Sequence, residues 1–288
     1  YRLGPLEFAS GMSGRNAWTY LYVCLAIMPV ISFLSFSQPY VLTEIIGIPE
    51  AKHGQVTGLL ITMHEIVVLA LVSFAGGLSD RIGRRPLYAA GTLIAGAGFA
   101  VYGLANSVSD LYVGRFIYAI GLAFVGVMIA VTAADYPAEQ SRGKLAGLSG
   151  VLNGLGIGVA TALFAALPTI FKAQGLSSAD AGRYMLFVMA GLAALTALIM
   201  QVGLKGGTPT GTSVRMSLGR VLQIGIAQGR ENPRLLVCYA GSFISRADLT
   251  LVATFVSLWL QRVGRDEGLD GPEALAKAGL MFALIQGS

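Results

Sequence analysis

The chain has 288 residues, of which 55% are hydrophobic and only 12% are charged. Because a soluble domain carries about 25% charged residues, this composition excludes an ordinary soluble protein and indicates one that crosses a membrane several times. The net charge of +5 does not indicate nucleic-acid binding, since the basic residues lie in short loops between apolar runs. Cys24 and Cys238 lie inside apolar runs and indicate neither a disulfide framework nor a metal site, and no cofactor is predicted.

Seven hydrophobic segments are long enough to cross a bilayer, which takes about 20 apolar residues in a helix. In chain order they are predicted at 17–40, 54–76, 86–105, 109–133, 146–170, 182–204 and 234–261. An eighth segment begins near Lys277 and is cut off at Ser288. Since a protein is not expected to stop inside a hydrophobic helix, the chain is expected to be a truncated part of a longer one.

The lysines and arginines of the loops predict the orientation, because cytoplasmic loops carry an excess of them. The side with more of them holds Arg2, Arg15, Arg81, Arg84, Arg85, Arg142, Lys144, Lys205, Arg215, Arg220, Arg230 and Arg234. The other side holds Lys52, Lys172, Arg183, Arg262, Arg265 and Lys277. The N-terminus is therefore predicted in the cytoplasm, with the protein in a plasma membrane or a bacterial inner membrane.

The longest loop, 205–233, predicts how the helices are grouped. Turn-rich residues open it, and apolar residues from Val214 to Ile226 then recur at near-helical spacing with arginines between them. This pattern favours an amphipathic helix on the membrane surface over a plain linker. The predicted organisation is an N-terminal six-helix transmembrane bundle at 1–204, a cytoplasmic linker at 205–233 and the start of a C-terminal bundle at 234–288.

A dense cluster of charges, GGLSDRIGRRPLY at 76–88, lies between the second and third segments. Its arginines fit a cytoplasmic loop, and Gly83 tolerates the positive φ of a tight turn. Asp80 is not needed for orientation, so an acid among three arginines predicts an ion-pair network or a cap on a helix N-terminus. The alternative is a plain basic turn.

The pattern G-x-x-x-D-R-x-G-R-R in this cluster resembles the loop 2–3 signature of the major facilitator superfamily, and its fixed positions are Gly76, Asp80, Arg81, Gly83, Arg84 and Arg85. The stretch LYVGRFIYAIG, with Arg115 and Gly121, is similar to the family's R-x-x-Q-G-x-G pattern, although Tyr118 and Ala119 replace Gln and Gly. Asp135, Arg142 and Gly143 resemble the family's segment at the end of helix 4.

This resemblance implies an all-α membrane protein whose six-helix halves each contain 3+3 inverted repeats. The chain would hold helices 1–7 and part of helix 8 of twelve. In the family, the acid and the first arginine of the signature join helix 4 and the opposite bundle when the cytoplasmic gate closes. The resemblance therefore implies gating roles for the signature residues, Asp135 and Arg142, with Arg81 paired to Asp135.

Five ionisable residues are predicted well inside the helices: His64, Glu65, Arg115, Arg246 and Asp248. Each costs a few kcal/mol or more in hydrocarbon, so each is expected to face protein or a water-filled cavity. Depth predicts a Glu65–Arg115 pair, which is either a static ion pair or a proton or substrate site. Arg246 and Asp248 point to opposite sides of helix 7 and are candidate contacts for substrate or coupling ion.

Helix 5 carries glycines at four-residue spacing, Gly150, Gly154 and Gly158, which predict a smooth face for close helix packing. The tetrapeptide GLSG at 147–150 matches a short motif of rhomboid intramembrane proteases. Such a hydrolase needs a histidine on a later helix, but the histidines, His53 and His64, both come earlier. An enzyme is therefore not predicted.

The predicted function is secondary active transport of a small solute by alternating access, with coupling to protons or another ion left open. The partners would be that solute, the coupling ion and the lipid bilayer, and the protein is expected to be a monomer without nucleic-acid contacts. The alternative is a transporter-like sensor or scaffold that moves nothing. Symport, antiport and uniport all remain open.

Overall fold

The computed structural model describes residues 1–207, 223 and 227–287, with side chains undescribed at 73, 236, 238–240, 242–253 and 285–287. A short hairpin precedes long helices, and the elements in chain order are β1 Arg2–Leu3, β2 Leu6–Glu7, α1 Gly14–Tyr40, α2 His53–Ile82, α3 Arg84–Leu104, α4 Val108–Asp135, α5 Arg142–Ala173, α6 Ser178–Gly203, α7 Pro233–Asp266 and α8 Gly271–Gly287. A π-helical turn, Val41–Ile45, extends α1, and single 3-10 turns lie at Glu50–Lys52 and Glu139–Ser141.

The described helices confirm the predicted all-α membrane fold, and six of them are long and apolar enough to cross a membrane. These six are α1 to α6. The predicted amphipathic helix between Val214 and Ile226 lies outside the described residues, apart from Gln223. The division into a bundle, a linker and the start of a second bundle stays a prediction.

Serine caps make several helices longer than the hydropathy pattern predicts. Ser13 caps α1 together with Asn16, and Ser107 caps α4 together with Asp110, each in a reciprocal capping box. Ser177 likewise accepts a hydrogen bond from the amide of Asp180 at the start of α6. Capping residues satisfy the free amides of a first turn, so the polar residues before each apolar run join the helix.

The connection between α2 and α3 is much shorter than the loop of about eight residues that the sequence predicts. Only Gly83 separates the two helices, and its φ of +95° is in the region that favours glycine. Asp80 and Arg81 therefore belong to the last turns of α2. The predicted role of Asp80 as a cap at a helix N-terminus is wrong, because Asp80 lies near the C-terminal end of a helix.

The first six helices pack around α1 and α3. α3 lies against α4 and α6, α1 lies against α5 and α6, and α2 covers α4. Gly121 of α4 is so close to α3 that a Cβ there would lie 2.4 Å from the amide nitrogen of Ala95. Gly156 of α5 meets the carbonyl of Leu25 in α1 in the same way, so glycines set these two helix contacts.

The last two helices pack against α1 and α5. The hydroxyl of Ser257 in α7 donates a buried hydrogen bond of 2.6 Å to the carbonyl of Phe36 in α1. The rings of Phe36 and Phe282 lie 5.4 Å apart, and Gly279 of α8 presses on the carbonyl of Thr161 in α5. These contacts join helices that the sequence assigns to different bundles.

The described helices do not pack against the glycine face of α5 as closely as the sequence predicts. Among the described residues, nothing lies within 4 Å of where a Cβ of Gly150 or Gly154 would stand, and Gly158 only touches Ala283. These glycines line a cavity of about 590 Å³ between α5 and α8, together with Val151, Leu155, Val159, Ala162 and Ala283. The close contact of α5 with α1 falls at Gly156 instead.

Candidate functional site

The loops at the two opposite ends of the helices form two polar layers. Each layer takes the name of one of its residues. The Gly83 end holds Gly83 and the segments 136–141 and 205–207. The Arg265 end holds the loops 46–52, 105–107, 174–177 and 267–270, together with Arg265 at the end of α7. A third group of polar side chains lies between these layers, inside the first six helices.

The ion pair at the Gly83 end differs from the expected one. The carboxylate of Asp135 pairs with the guanidinium of Arg84, whereas Arg81 is exposed. The predicted Arg81–Asp135 pair is therefore wrong in this conformation. Because Gly83 ends α2, Arg81 stays on α2 while Arg84 begins α3 beside the last turn of α4, which places Arg84 next to Asp135.

The other signature residues at this end have separate surroundings. Gly76 accepts a hydrogen bond of 2.7 Å from the hydroxyl of Ser79, within α2. Asp80 is exposed, and Arg85 is half-buried. Arg142 contacts Glu139 at 3.2 Å, and both side chains are more than half exposed, so this pair contributes little to stability.

Arg115 is the largest polar side chain in the interior, and it is only 1% exposed. Its Nη2 donates to the hydroxyl of Ser35 in α1 at 3.0 Å, and its guanidinium lies 5.6 Å from the ring centroid of Tyr118. Its Nε and Nη1 have no hydrogen-bond partner among the described residues. A buried arginine with free N–H groups is costly unless an acceptor arrives, which makes it a candidate ligand-binding group.

Two tyrosines lie beside Arg115, Tyr118 on α4 itself and Tyr102 on α3. The hydroxyl of Tyr102 donates to Oε1 of Gln38 at 3.1 Å, and Nε2 of Gln38 has no hydrogen-bond partner among the described residues. The hydroxyl of Tyr118 lies 2.6 Å from the carbonyl oxygen of Ile31 in α1. The cluster thus joins α1, α3 and α4, and its free polar atoms are N–H donors.

The predicted Glu65–Arg115 pair does not form in this conformation, since the described part of the chain places no carboxylate within 4 Å of that guanidinium. Arg115 bonds to Ser35 instead, because its long side chain turns toward α1. Glu65 is half-buried on α2. The adjacent His64 is buried, with its ring 5.7 Å from the ring of Tyr118, so it lies at the edge of the Arg115 cluster.

The side chains of Arg246 and Asp248 lie outside the described residues, although the backbone of α7 is helical there. Their predicted roles stay predictions. The hydrolase alternative depends on Ser149, whose hydroxyl lies 3.1 Å from the hydroxyl of Tyr20 and 3.5 Å from Sγ of Cys24. His53 is occupied elsewhere, with its Nε2 3.0 Å from the carbonyl of Ile48.

At the Arg265 end, ion pairs join α7 to the connection between α1 and α2. Nη1 of Arg265 donates to Oε1 of Glu50 at 2.7 Å, and its Nη2 lies 3.8 Å from Oε1 of Glu44. The side chains of Arg265 and Glu44 are each 20% exposed. The sequence did not predict this group, because Arg265 is more than 200 positions away from both glutamates and only the fold brings them together.

A second ion pair at the same end joins α5 to the loop before α8. Lys172 pairs with Asp270, and both side chains are about two fifths exposed. Partial burial raises the pKa of Asp270, but the hydrogen bonds from Lys172 and from the amide of Glu273 outweigh it and leave that pKa below its usual value. Asp270 is therefore charged at neutral pH. Exposed pairs are worth about 0–1 kcal/mol, so this contact is easily broken.

The family model for the major facilitator superfamily matches residues 13–288, and the chain belongs to that family. The chain is 28% identical to the magnetosome protein MamZ of Magnetospirillum gryphiswaldense over 98% of its own length and 43% of MamZ. It is 29% identical to the inner membrane transport protein YajR of Escherichia coli over 64% of its own length and 37% of YajR. It thus spans less than half the length of these curated relatives.

A solved structure has the same fold. A bacterial homologue of the human lysosomal transporter Spinster, solved in an inward-facing and unoccupied conformation, matches with a TM-score of 0.62 and 16% identity over 96% of this chain and 61% of that one. Together with the six apolar helices, these relatives show a multi-pass integral membrane protein of a transporter family.

Proposed function

We propose that the chain is part of a secondary transporter that moves a small solute across a membrane by alternating access. The observation that carries this proposal is the closed Arg265 end, where Arg265 of α7 and Asp270 of the loop before α8 reach Glu44, Glu50 and Lys172. Alternating access requires contacts between two bundles that form on one side and break when that side opens. Partly exposed ion pairs suit this task, since water replaces the lost partner.

The solute is proposed to approach the Arg115 cluster between the two ends. The free N–H groups of Arg115 and Gln38 would bind acceptor atoms, while Glu65 and His64 border the cluster on α2. Glu65 is proposed as the proton-coupling group, because a half-buried carboxyl can exchange protons when its surroundings change. Arg246 and Asp248 are proposed to face the same solute from α7.

The signature at the Gly83 end is proposed to act as the gate on the cytoplasmic side, with the N-terminus in the cytoplasm. The excess of lysine and arginine in the loops of this end supports that orientation. The similarity to the inner membrane transport protein YajR supports a bacterial inner membrane, and the similarity to the magnetosome protein MamZ extends the candidates to the magnetosome. Fractionation of cells that carry a tagged protein, with protease protection of an N-terminal tag, tests both the location and the orientation.

Proton coupling is tested by Glu65→Gln in proteoliposomes to which a panel of labelled solutes is added from outside. We expect uptake driven by a pH gradient to fall about tenfold or more, because the amide cannot carry a proton, while exchange without a gradient continues. Glu139→Gln is the matched control, since that carboxylate is largely exposed at the Gly83 end. Gradient-driven uptake that is unchanged in Glu65→Gln would remove Glu65 from the coupling mechanism.

The same panel separates a transporter from a sensor or scaffold. A transporter accumulates at least one solute inside liposomes above the level of protein-free liposomes. A sensor that moves nothing would bind a solute, as detected by a thermal shift, without any uptake.

A further inference from the structure

The first twelve residues form a small hairpin outside the helices. β1 and β2 pair in antiparallel register, and the side chains of Leu6, Phe8 and Met12 are buried. The family model begins at residue 13, so this hairpin lies outside the part of the chain that matches the superfamily. We call residues 1–12 the strap.

The strap is bonded to the connection between α4 and α5. The amide of Ala9 donates to the carbonyl of Tyr136 at 2.9 Å, and the amide of Ala138 donates to the carbonyl of Glu7 at 3.0 Å. The connection therefore runs beside the strap as an added strand. Tyr136 directly follows Asp135, so the strap is bonded one residue away from the Arg84–Asp135 ion pair.

Further contacts extend this attachment along the connection. Phe8 forms an antiparallel bridge with Pro137, and the amide of Glu7 donates to the hydroxyl of Ser141 at 2.9 Å. The end of a helix frays unless its last residues are held by other groups. Since α4 ends at Asp135, these bonds hold the end that carries the carboxylate.

The strap also holds the chain that leaves α6. Nζ of Lys205 donates to the carbonyl of Ser10 at 3.0 Å, and the backbone amide of Lys205 donates to the hydroxyl of Tyr136 at 3.1 Å. Burial raises the pKa of Tyr136, whereas the bond from Lys205 and the charge of Arg84 act in the opposite direction. The net rise keeps the tyrosine hydroxyl protonated.

From Lys205 the chain continues onto the signature turn. A Cβ at Gly206 would lie 3.2 Å from Cζ of Arg85, and a Cβ at Gly83 would lie 3.2 Å from the carbonyl oxygen of Gly207. The strap, the connection after α4 and the residues after α6 therefore form one continuous layer that ends at Gly83. Each of these segments touches the next through the contacts above.

We propose that the strap is a positioning element for the gate at the Gly83 end. It holds Asp135 within reach of Arg84, and through Lys205 it holds residues 205–207 against the turn at Gly83. The strap stays docked during transport, and both attachments act on the gate by positioning the Arg84–Asp135 pair, since residues 205–207 lie against the turn after which Arg84 begins α3. The proposal depends on the proposed function, because positioning this pair matters only if that end opens and closes.

The test uses the complete protein with Cys24 and Cys238 replaced by alanine and Gly154→Cys as reporter, since Gly154 lines the cavity and no other described segment lies within 4 Å of a Cβ there. The readout is the rate at which a membrane-impermeant maleimide labels the reporter from the Gly83 end. The strap variant combines Ser141→Ala with Lys205→Met, which removes two side-chain bonds without changing the helices. Lys144→Met is the matched control, because Lys144 is an exposed lysine at the same end.

We expect the strap variant to label about three- to tenfold faster, because loss of one or two hydrogen bonds weakens closure by that factor. Asp135→Asn should label faster to a similar degree, and the combined variant should label no faster than Asp135→Asn alone, because both changes act on one ion pair. Lys205→Arg in place of Lys205→Met should bring the labelling rate of the reporter back toward that of the wild type. An unchanged rate in the strap variant, or effects that multiply in the combination, would overturn the proposal.

A second variant tests whether the strap stays docked. Phe8→Cys with Pro137→Cys places thiols on bridge partners, which lie within the range of a disulfide. With the strap cross-linked, the reporter should label at the wild-type rate, and a markedly slower rate would mean that the strap must leave during the cycle. If the proposed alternating access did not occur, the result would be different. The labelling rate of the reporter would then not change when Lys172→Cys is cross-linked to Asp270→Cys.

Discussion

The charges of the interior and the charges of the Arg265 end are held in opposite ways. Arg115 is almost fully buried, and it contacts side chains of the first six helices, Ser35 in α1 and Tyr118 in α4. Arg265 and Asp270 keep part of their surface in solvent, and their partners lie on other helix groups. Buried charges lose much when a partner leaves, whereas exposed ones lose little. The comparison therefore separates a fixed scaffold from contacts that can break.

The largest effect is expected at the buried member of this comparison. Arg115→Lys keeps the charge but loses the planar fork that lies near Tyr118 and reaches Ser35. We expect uptake in proteoliposomes to fall about tenfold or more, with a lower melting temperature. Arg183→Lys serves as the control, because Arg183 is only half-buried and donates to Asn106 and to the carbonyl of Gly103 at the Arg265 end. If Arg115→Lys kept the uptake and the melting temperature of the wild type, this buried position would tolerate substitution as well as an exposed one does.

An intermediate effect is expected at Arg265. Arg265→Gln removes the charge that faces both Glu44 and Glu50, so the Arg265 end should open more often without a loss of folding. Spin labels at Gln174→Cys and Asp266→Cys should show a long-distance population that grows about three- to tenfold. Arg262→Gln, at an exposed position one turn earlier, should leave the distances unchanged. A lower melting temperature with unchanged distances would place Arg265 in the scaffold instead.

The smallest effect is expected from pH at Asp270. Its pKa is lowered in the folded protein, so the stabilisation from the Lys172 pair is complete above the ordinary aspartate value of about 4 and is lost as pH falls through the lowered pKa. Distances across the Arg265 end should therefore stay constant between about pH 5 and 8 as far as this pair is concerned. In Asp270→Asn, the distances across the Arg265 end at neutral pH should already be distributed as they are in the wild type at acid pH. Opening of that end in the mutant only at acid pH would contradict this assignment.

Much of the fold could be predicted from the sequence because membrane helices follow from hydropathy alone. The helix ends could not, since Ser13 and Ser107 extend their helices through local hydrogen bonds that hydropathy ignores. The family signature correctly pointed to Asp135 as part of an ion pair but gave the wrong arginine. A single glycine between α2 and α3 decides whether Arg81 or Arg84 faces it, and that depends on the geometry of the turn.

The polar groups around the helices were harder to predict than the helices themselves. Arg115 could be singled out because an arginine inside an apolar segment is unusual. The contact of Arg115 with Ser35 and the Arg265–Glu50 pair could not be predicted, because the two residues of each pair lie far apart in the sequence. The strap carries no sequence signal of its own, since its attachment to the connection after α4 is mostly made by backbone groups.

The central claim is that the closed Arg265 end must open during transport, and one cross-link tests it directly. Lys172→Cys with Asp270→Cys places thiols at two positions whose native side chains meet, in the background without Cys24 and Cys238, and a short bifunctional methanethiosulfonate spans the gap that the lost lysine side chain leaves. Cross-linking should stop solute uptake in proteoliposomes, and reduction should restore it, while either single cysteine variant remains active under both conditions. Uptake that continues at its full rate in the cross-linked double variant would show that this end stays closed during transport, and would contradict the account.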